Sequence, residues 1–323
     1  MKYFIKLLVA LLAAATLAPA TSLAQTWPSK PIRLIVGFPP GGGIDFFARA
    51  LSVKLQEQLG QTVLVENKPG ANGMIGGDLV VNAPPDGYTI LISNEAQIVV
   101  NQFLYSKVPY DPIRDLEPVT LAVAAPVILY VHPSLAANSV PELLALAKAK
   151  PGQLAYASVG AGSVHHLSAE LLKSTTRIDL MHVPYKGGGP AALALISGDV
   201  PIGFAGYSAL AHARSGKLRA LATTGMKRSQ ATPELPTLVE LGFADQQLVG
   251  WHGLLVPART PRSIIDRLNT EVIKAINSPD LKARLIQQGF DIVGNTPEEF
   301  SRVIQSEAAT YARVVKVSGA KLD

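Results

Sequence analysis

The sequence predicts an α/β protein of two lobes, on three observations. Short β-type runs alternate with amphipathic helical stretches along most of the chain, the pattern of strand–helix–strand units with mostly parallel sheets. Two glycine turns, Gly41–Gly43 and Gly160–Gly162, stand far apart in the chain, each between a strand and a helix start. The chain has 323 residues, 48% of them hydrophobic, which is material for about two domains and a sizeable core.

In order along the chain, Lys2 and Lys6 precede an apolar run from Leu7 to Leu17, then Ser22-Leu23-Ala24. A positive start, a short apolar stretch and small residues at a cut site describe a secretory signal peptide over residues 1–24, cleaved after Ala24. The run is shorter than the roughly 20 apolar residues that span a bilayer, and no later stretch is long and apolar enough. The mature chain is therefore expected in the periplasm. Strands are expected at Ile32–Val36, Val63–Val65, Thr89–Ile92, Val127–Val131, Leu154–Ala157, Met181–Val183, Ile202–Ala205, Leu218–Thr223 and Leu254–Val256. A first helix runs from near Asp45 to Leu59, with Phe47, Leu51, Leu55 and Leu59 on one face and Gly60 as its stop. Ser139-Val140-Pro141-Glu142 and Thr296-Pro297-Glu298-Glu299 match the capping box. Thr260-Pro261 and Ser278-Pro279 place proline at a first helical position. From Pro261 onward the chain reads as largely helical, with Ile264, Leu268, Val272 and Ile276 in one stripe. Lobe 1 is assigned residues 25–124 and 250–323, and lobe 2 residues 125–249, with no flexible linker between them.

Composition narrows the chemistry. The formal charge of +5 comes without a run of like charges, so the basic stripe of a nucleic-acid binder is missing. The absence of cysteine removes disulfides, thiolate catalysis and iron–sulfur clusters. His165 and His166 are adjacent, so on a helix they point about 100° apart and do not share one metal ion. His132, His182, His212 and His252 are scattered and read as surface or core-edge residues. No metal site and no cofactor are expected.

Three glycine-rich strand ends carry the candidate site. In the first, Phe38, Pro40, Gly41, Gly42, Gly43 and Asp45 surround a turn that leads into a helix. Glycine lets a ligand approach the main chain, and the helix start offers free N–H groups and a positive dipole end to an anion. The loop lacks the lysine of a nucleotide-binding P-loop. The competing role is a structural turn with Asp45 as helix cap. In the second, Ser158, Gly160, Gly162, Ser163 and His166 repeat the pattern, with Ser163 as N-cap. In the third, Tyr185 offers a flat wall and Lys186 a positive charge before Gly187–Gly189; the competing role for Lys186 is a solvated surface lysine. Two such helix ends facing each other could hold a small organic anion through charge-assisted N–H bonds. A large side chain at Gly41 or Gly162 is expected to abolish that binding and leave the protein folded.

Catalysis is the weaker reading. Ser163 with His166 invites comparison with a serine hydrolase, but such a nucleophile needs a base oriented by a third group, and no G-x-S-x-G elbow is present. His166, three residues after Ser163, is expected to brace the turn.

The ordered landmarks Trp27–Arg33, Phe38–Asp45, Val65–Ala71, Pro85–Thr89, Pro109–Pro112, Tyr156–Leu167, His182–Gly187, Lys217–Ala222 and Gly319–Asp323 resemble those of the tripartite tricarboxylate transporter receptors, the Bug-type periplasmic solute-binding proteins. The resemblance covers essentially the whole mature chain. It implies a two-lobed, type II periplasmic-binding-protein fold that closes on its ligand. It also implies a small carboxylate gripped from both sides by the turns at Phe38–Asp45 and Ser158–His166, partly through ordered waters, and delivery to membrane permease subunits by a monomer. Departures from the family pattern are informative. Ile44 replaces a small polar residue, Ala161 a frequent Asn, and Phe204-Ala205-Gly206-Tyr207 a frequent Phe-Asp. Without that acid an amino-acid ligand is disfavoured, and Ala205, Tyr207, Tyr185 and Phe38 are candidate walls for a partly apolar carboxylate. Rival readings are a ligand sensor feeding a membrane kinase and, less favoured, the exported hydrolase.

Overall fold

A computed structural model describes residues 27–322, so the expected leader over 1–24 lies outside the described residues. The strands, in chain order, begin with β1 (Ile32–Val36), β2 (Val63–Asn67), β3 (Thr89–Ser93) and β4 (Leu116–Ala125). Next come β5 (Ile128–Val131), β6 (Ala155–Ser158), β7 (Met181–Pro184), β8 (Ile202–Ala205) and β9 (Arg219–Thr223). The last two are β10 (Gly250–Pro257) and β11 (Asp291–Ile292). Among the helices, α1 (Gly43–Leu59), α2 (Met74–Val81), α3 (Asn101–Leu104) and α4 (Val140–Ala149) are followed by α5 (Val164–Thr176), α6 (Gly188–Ser197) and α7 (Leu210–Arg214). The C-terminal part holds α8 (Arg262–Ile276), α9 (Pro279–Gln287) and α10 (Pro297–Ser318).

The strands form two sheets. One has six strands in the order β11-β4-β10-β3-β1-β2, the other five in the order β7-β6-β8-β5-β9. The first therefore draws on both ends of the described chain, the second on its middle. The expectation of mostly parallel sheets is corrected. β1 runs parallel to β2 and β3, and β6 to β7 and β8, but β10 is antiparallel to both β3 and β4, and β5 to both β8 and β9. The antiparallel members flank the passages between the sheets, and strand polarity leaves no mark in composition. The sequence reading also passed over β4, the longest strand, because Pro118 and three alanines dilute its β signal. Pro118 is tolerated where it falls opposite Leu255, at a register shift in β10.

Helix α1 forms as its periodicity requires. Phe47, Leu51 and Leu55 are fully buried, each burial worth about 1.5–3 kcal/mol, against the buried stripe Leu268, Val272 and Ile276 of α8. Gly60 ends it in the left-handed region at φ 65°, its N–H returning to Gln56 O at 3.1 Å. The Thr296–Glu299 capping box of α10 is complete. At Ser139 it is not: Glu142 reaches the N–H of Asn138, one residue earlier. Thr260-Pro261 is also displaced, Pro261 being the N-cap and Arg262 the first helical residue.

The apolar core is continuous between the sheets. Ile35, Leu91 and Ile98 belong to one cluster with Leu129, Tyr156 and Leu167, closed over by Phe300, Ile304 and Tyr311 of α10. Helix α10 packs against β4 of the first sheet and α5 beneath the second.

Candidate functional site

The first turn is built by β1 and α1. Gly41 has φ +89°, a region that favours glycine, and Gly41 to Gly43 are all exposed. Asp45 is 4% exposed and faces back into the turn. It accepts from the Gly41 N–H at 3.0 Å, from Asn67 Nδ2 at 2.9 Å and from Arg49 at 3.0 Å. Burial pushes its pKa up, but these donors outweigh it and hold the carboxyl low. Asn67 also donates to Phe38 O at 3.0 Å, tying β2 to the loop. Asp45 thus braces the turn and keeps the helix end open. Among the described residues nothing accepts from the N–H groups of Gly43, Ile44 and Asp45, the free donors of a helix start. Phe38 is half-buried and Pro40 exposed.

The second turn is held by its own hydroxyls. Ser163 caps α5, accepting from His166 N at 3.3 Å and donating to Gly160 O at 2.6 Å. His166 Nδ1 accepts from the Gly162 N–H at 3.1 Å, which places its proton on Nε2 and braces the turn. Burial draws its pKa down to about 4, so it is neutral near pH 7. The buried Ser158 contacts His182 Nε2 at 2.7 Å and Gly160 N at 3.2 Å. His182 is therefore not scattered: it stacks on His166 at 4.1 Å and on Tyr156 at 4.9 Å. The parallel register that pairs Tyr156 with His182 brings it there. The serine–histidine contact in this region thus involves a wholly buried hydroxyl, not Ser163.

The third turn is zipped to the second. Tyr185 N donates to Ser158 O at 3.0 Å and Gly187 N to Val159 O at 3.2 Å. Tyr185 is half-buried and Lys186 exposed. Ala205 and Tyr207, at the end of β8, are buried. The Tyr207 hydroxyl meets Thr232 Oγ1 at 3.1 Å, and its ring covers Gly289 of the other sheet's layer, where an added methyl would fall 1.8 Å from Cγ.

Strand β10 links the two helix starts. A methyl placed on Gly43 would lie 3.8 Å from His252 Nε2, and one placed on Gly250 would lie 3.5 Å from Val164 Cγ1, the first residue of α5. Residues 250 and 252 share a face of the strand, roughly 7 Å apart. The α1 and α5 N-termini thus abut one short stretch of β10. On that same face the buried Glu95 carboxyl lies 3.6 Å from where a methyl on Gly250 would sit; it accepts from Trp251 N at 3.1 Å, and burial pushes its pKa up to about 7. Trp251 is part of the core: it is 2% exposed and donates from Nε1 to Glu307 at 2.8 Å.

Gly162 proves a poor probe, which corrects the expectation of a folded variant. It has φ +78°, and a Cβ there would fall 2.2 Å from Leu104 Cδ1. Gly42, with φ −82° and open space around it, accepts a side chain. A recess of about 350 Å3 lined by Pro133, Arg214, Arg219 and Glu234 includes none of the three turns.

Asn67 and Glu95 escaped the sequence reading, and His182 and His252 were read there only as surface or core-edge residues. Asn67 had a usable signal, a polar residue at the end of the strand beside β1. Glu95 had another, a lone acid before an apolar run.

A family model described as the tripartite tricarboxylate transporter family receptor matches residues 47–320. BugT of Bordetella pertussis is 39% identical over 301 residues, covering 93% of this chain and 92% of BugT. An R. palustris structure with adipate is 33% identical with TM-score 0.84, covering 92% of this chain and 100% of that one. MatC of Rhodopseudomonas palustris with bound malate is 29% identical with TM-score 0.79, covering 90% and 100%.

Proposed function

We propose, since this chain belongs to the tripartite tricarboxylate transporter family of receptors, that it is a periplasmic receptor that captures a small organic carboxylate and delivers it to a two-component membrane permease. The observation that carries this reading is the approach of two helix N-termini, each opened by glycines, to the same face of β10. A carboxylate between them would accept N–H bonds from both ends. Each charge–dipole interaction is worth about 0.3–1 kcal/mol when exposed, and up to about 2 when partly buried. In this reading residues 25–124 and 250–323 form one lobe and 125–249 the other, with closure about the β4–β5 and β9–β10 passages. The N–H groups of Gly41, Gly160 and Gly162 are taken by Asp45, Ser158 and His166, so those of Gly42, Gly43 and Ala161, which have no partner among the described residues, supply the main-chain donors, while Phe38, Pro40 and Tyr185 wall the ligand. Asp45, Ser158, Ser163 and His166 hold the turns in shape, and Lys186 adds positive charge. The carboxylate-bound relatives support the ligand class.

Native mass spectrometry of protein purified from its own periplasm tests the reading, with a retained organic acid expected. A second arm uses Gly42→Trp. Its backbone tolerates a side chain, so stability should stay within about 0.5 kcal/mol of the parent while acid binding is lost. Normal binding by this folded variant would refute the shared site.

A further inference from the structure

The acceptor that His252 aims at the α1 helix start has no role in gripping a carboxylate. The ring is 9% exposed and packed between Phe47, at 5.9 Å, and Phe290, at 5.3 Å. Its Nδ1 lies 2.8 Å from Trp251 O. A carbonyl only accepts, so Nδ1 carries the proton and Nε2 the lone pair. Burial lowers the imidazole pKa to about 4, so the ring stays neutral where the protein works. Nε2 has no hydrogen-bond partner among the described residues. It faces Gly43, where an added methyl would lie 3.8 Å away, beside the unused N–H groups of the first α1 turn.

A lone pair in that position repels an incoming carboxylate oxygen and attracts a proton donor. The neighbouring N–H groups have the opposite preference. Only a guest with an acceptor and a donor side by side satisfies both. We propose that His252 Nε2 accepts a hydrogen bond from a hydroxyl carried next to the ligand's carboxylate, so that the receptor selects hydroxycarboxylates over their deoxy counterparts. This rests on the carboxylate-receptor reading and narrows its substrate class. A hydroxycarboxylate places its carboxylate on the α1 N–H groups and its O–H on His252. A plain carboxylate bound there displaces water from the acceptor and gives it no donor in return, which is costly.

Isothermal titration calorimetry with two matched pairs tests this: malate against succinate, and 2-hydroxyadipate against adipate. The wild type should bind the hydroxy member of at least one pair about tenfold more tightly, the worth of one hydrogen bond. His252→Phe keeps a flat ring among the phenylalanines and removes the acceptor. It should bind the deoxy acid at least as well as the wild type and lose the preference. His252→Gln, which restores an acceptor, should recover part of it, and far-UV circular dichroism reports whether each variant is folded. Equal affinity for both members of each pair in the wild type, or an unchanged ratio in folded His252→Phe, overturns the inference and leaves the receptor reading standing. Absence of binding by all four acids would overturn the receptor reading itself for this class.

Discussion

Replacing Gly289 by alanine should damage the protein through a contact between its two sheets. Gly289 sits just before β11 with φ +83°, and an added methyl would lie 1.8 Å from Tyr207 Cγ and 2.2 Å from its Cβ. The left-handed backbone costs a non-glycine residue about 1–2 kcal/mol. The obstructing atoms are at the root of the tyrosine, so the ring cannot swing clear without leaving its pocket, an overpacking cost of about 1–3 kcal/mol. The buried Tyr207–Thr232 contact and the nearby bonds of Ser229 Oγ and Gln230 N to Asp291, at 2.9 and 3.2 Å, would be disturbed with it. The expected total is about 2–5 kcal/mol in urea unfolding, with weaker ligand binding if these contacts hold the lobes together. Tyr207→Ala should cost about 3–5 kcal/mol alone. In the double variant the clash with the ring is gone but the added methyl still meets Cβ of residue 207 at 2.2 Å, so part of the overpacking remains and the two losses should fall short of their sum by about 1 kcal/mol. Strict additivity would show that Gly289 and Tyr207 do not touch in solution and would sink the reasoning.

Gly162→Ala, with its methyl 2.2 Å from Leu104 Cδ1 at φ +78°, should lose about 2–4 kcal/mol by the same two causes; a melting temperature equal to that of the parent would contradict it. Ser163→Ala removes the α5 cap and should cost about 1 kcal/mol in chemical denaturation. The carboxyl of Glu95 is raised by burial to about 7 in the folded protein, above its unfolded value. The folded state therefore holds its proton more tightly, and the stability this contributes is present below about pH 4.5 and lost as pH rises towards 7. Glu307, also pushed up, to about 8, and Tyr311 face the same cluster around Trp251. Glu95→Gln keeps an acceptor for Trp251 N and should flatten the fall in stability across that window, by up to about 3 kcal/mol; an unchanged pH profile would exclude this origin.

Much of the local structure was legible because it is written in short-range terms. The spacing of Phe47, Leu51 and Leu55, the stop at Gly60 and the complete cap at Thr296–Glu299 are each decided within one or two turns of chain. β4 was not, because its stability comes from burial between helices and pairing with β10, which no window over Pro118 and its alanines reports. The bracing of the second turn by His166 was readable from its offset to Ser163. The stack with His182 depends on parallel register between β6 and β7 and was not.

By itself, the chain's order of residues determined the alternation of strands and helices, the glycine-opened helix starts and the family whose landmarks it carries, since all of these arise from neighbours in sequence. Only the tertiary structure decided that antiparallel pairings stand beside the parallel ones in both sheets, that Tyr207 packs on Gly289, that Trp251 is core and that His252 turns a bare nitrogen towards α1. Those facts depend on which distant segments share a wall, and burial, register and crossing geometry are properties of the whole packed molecule.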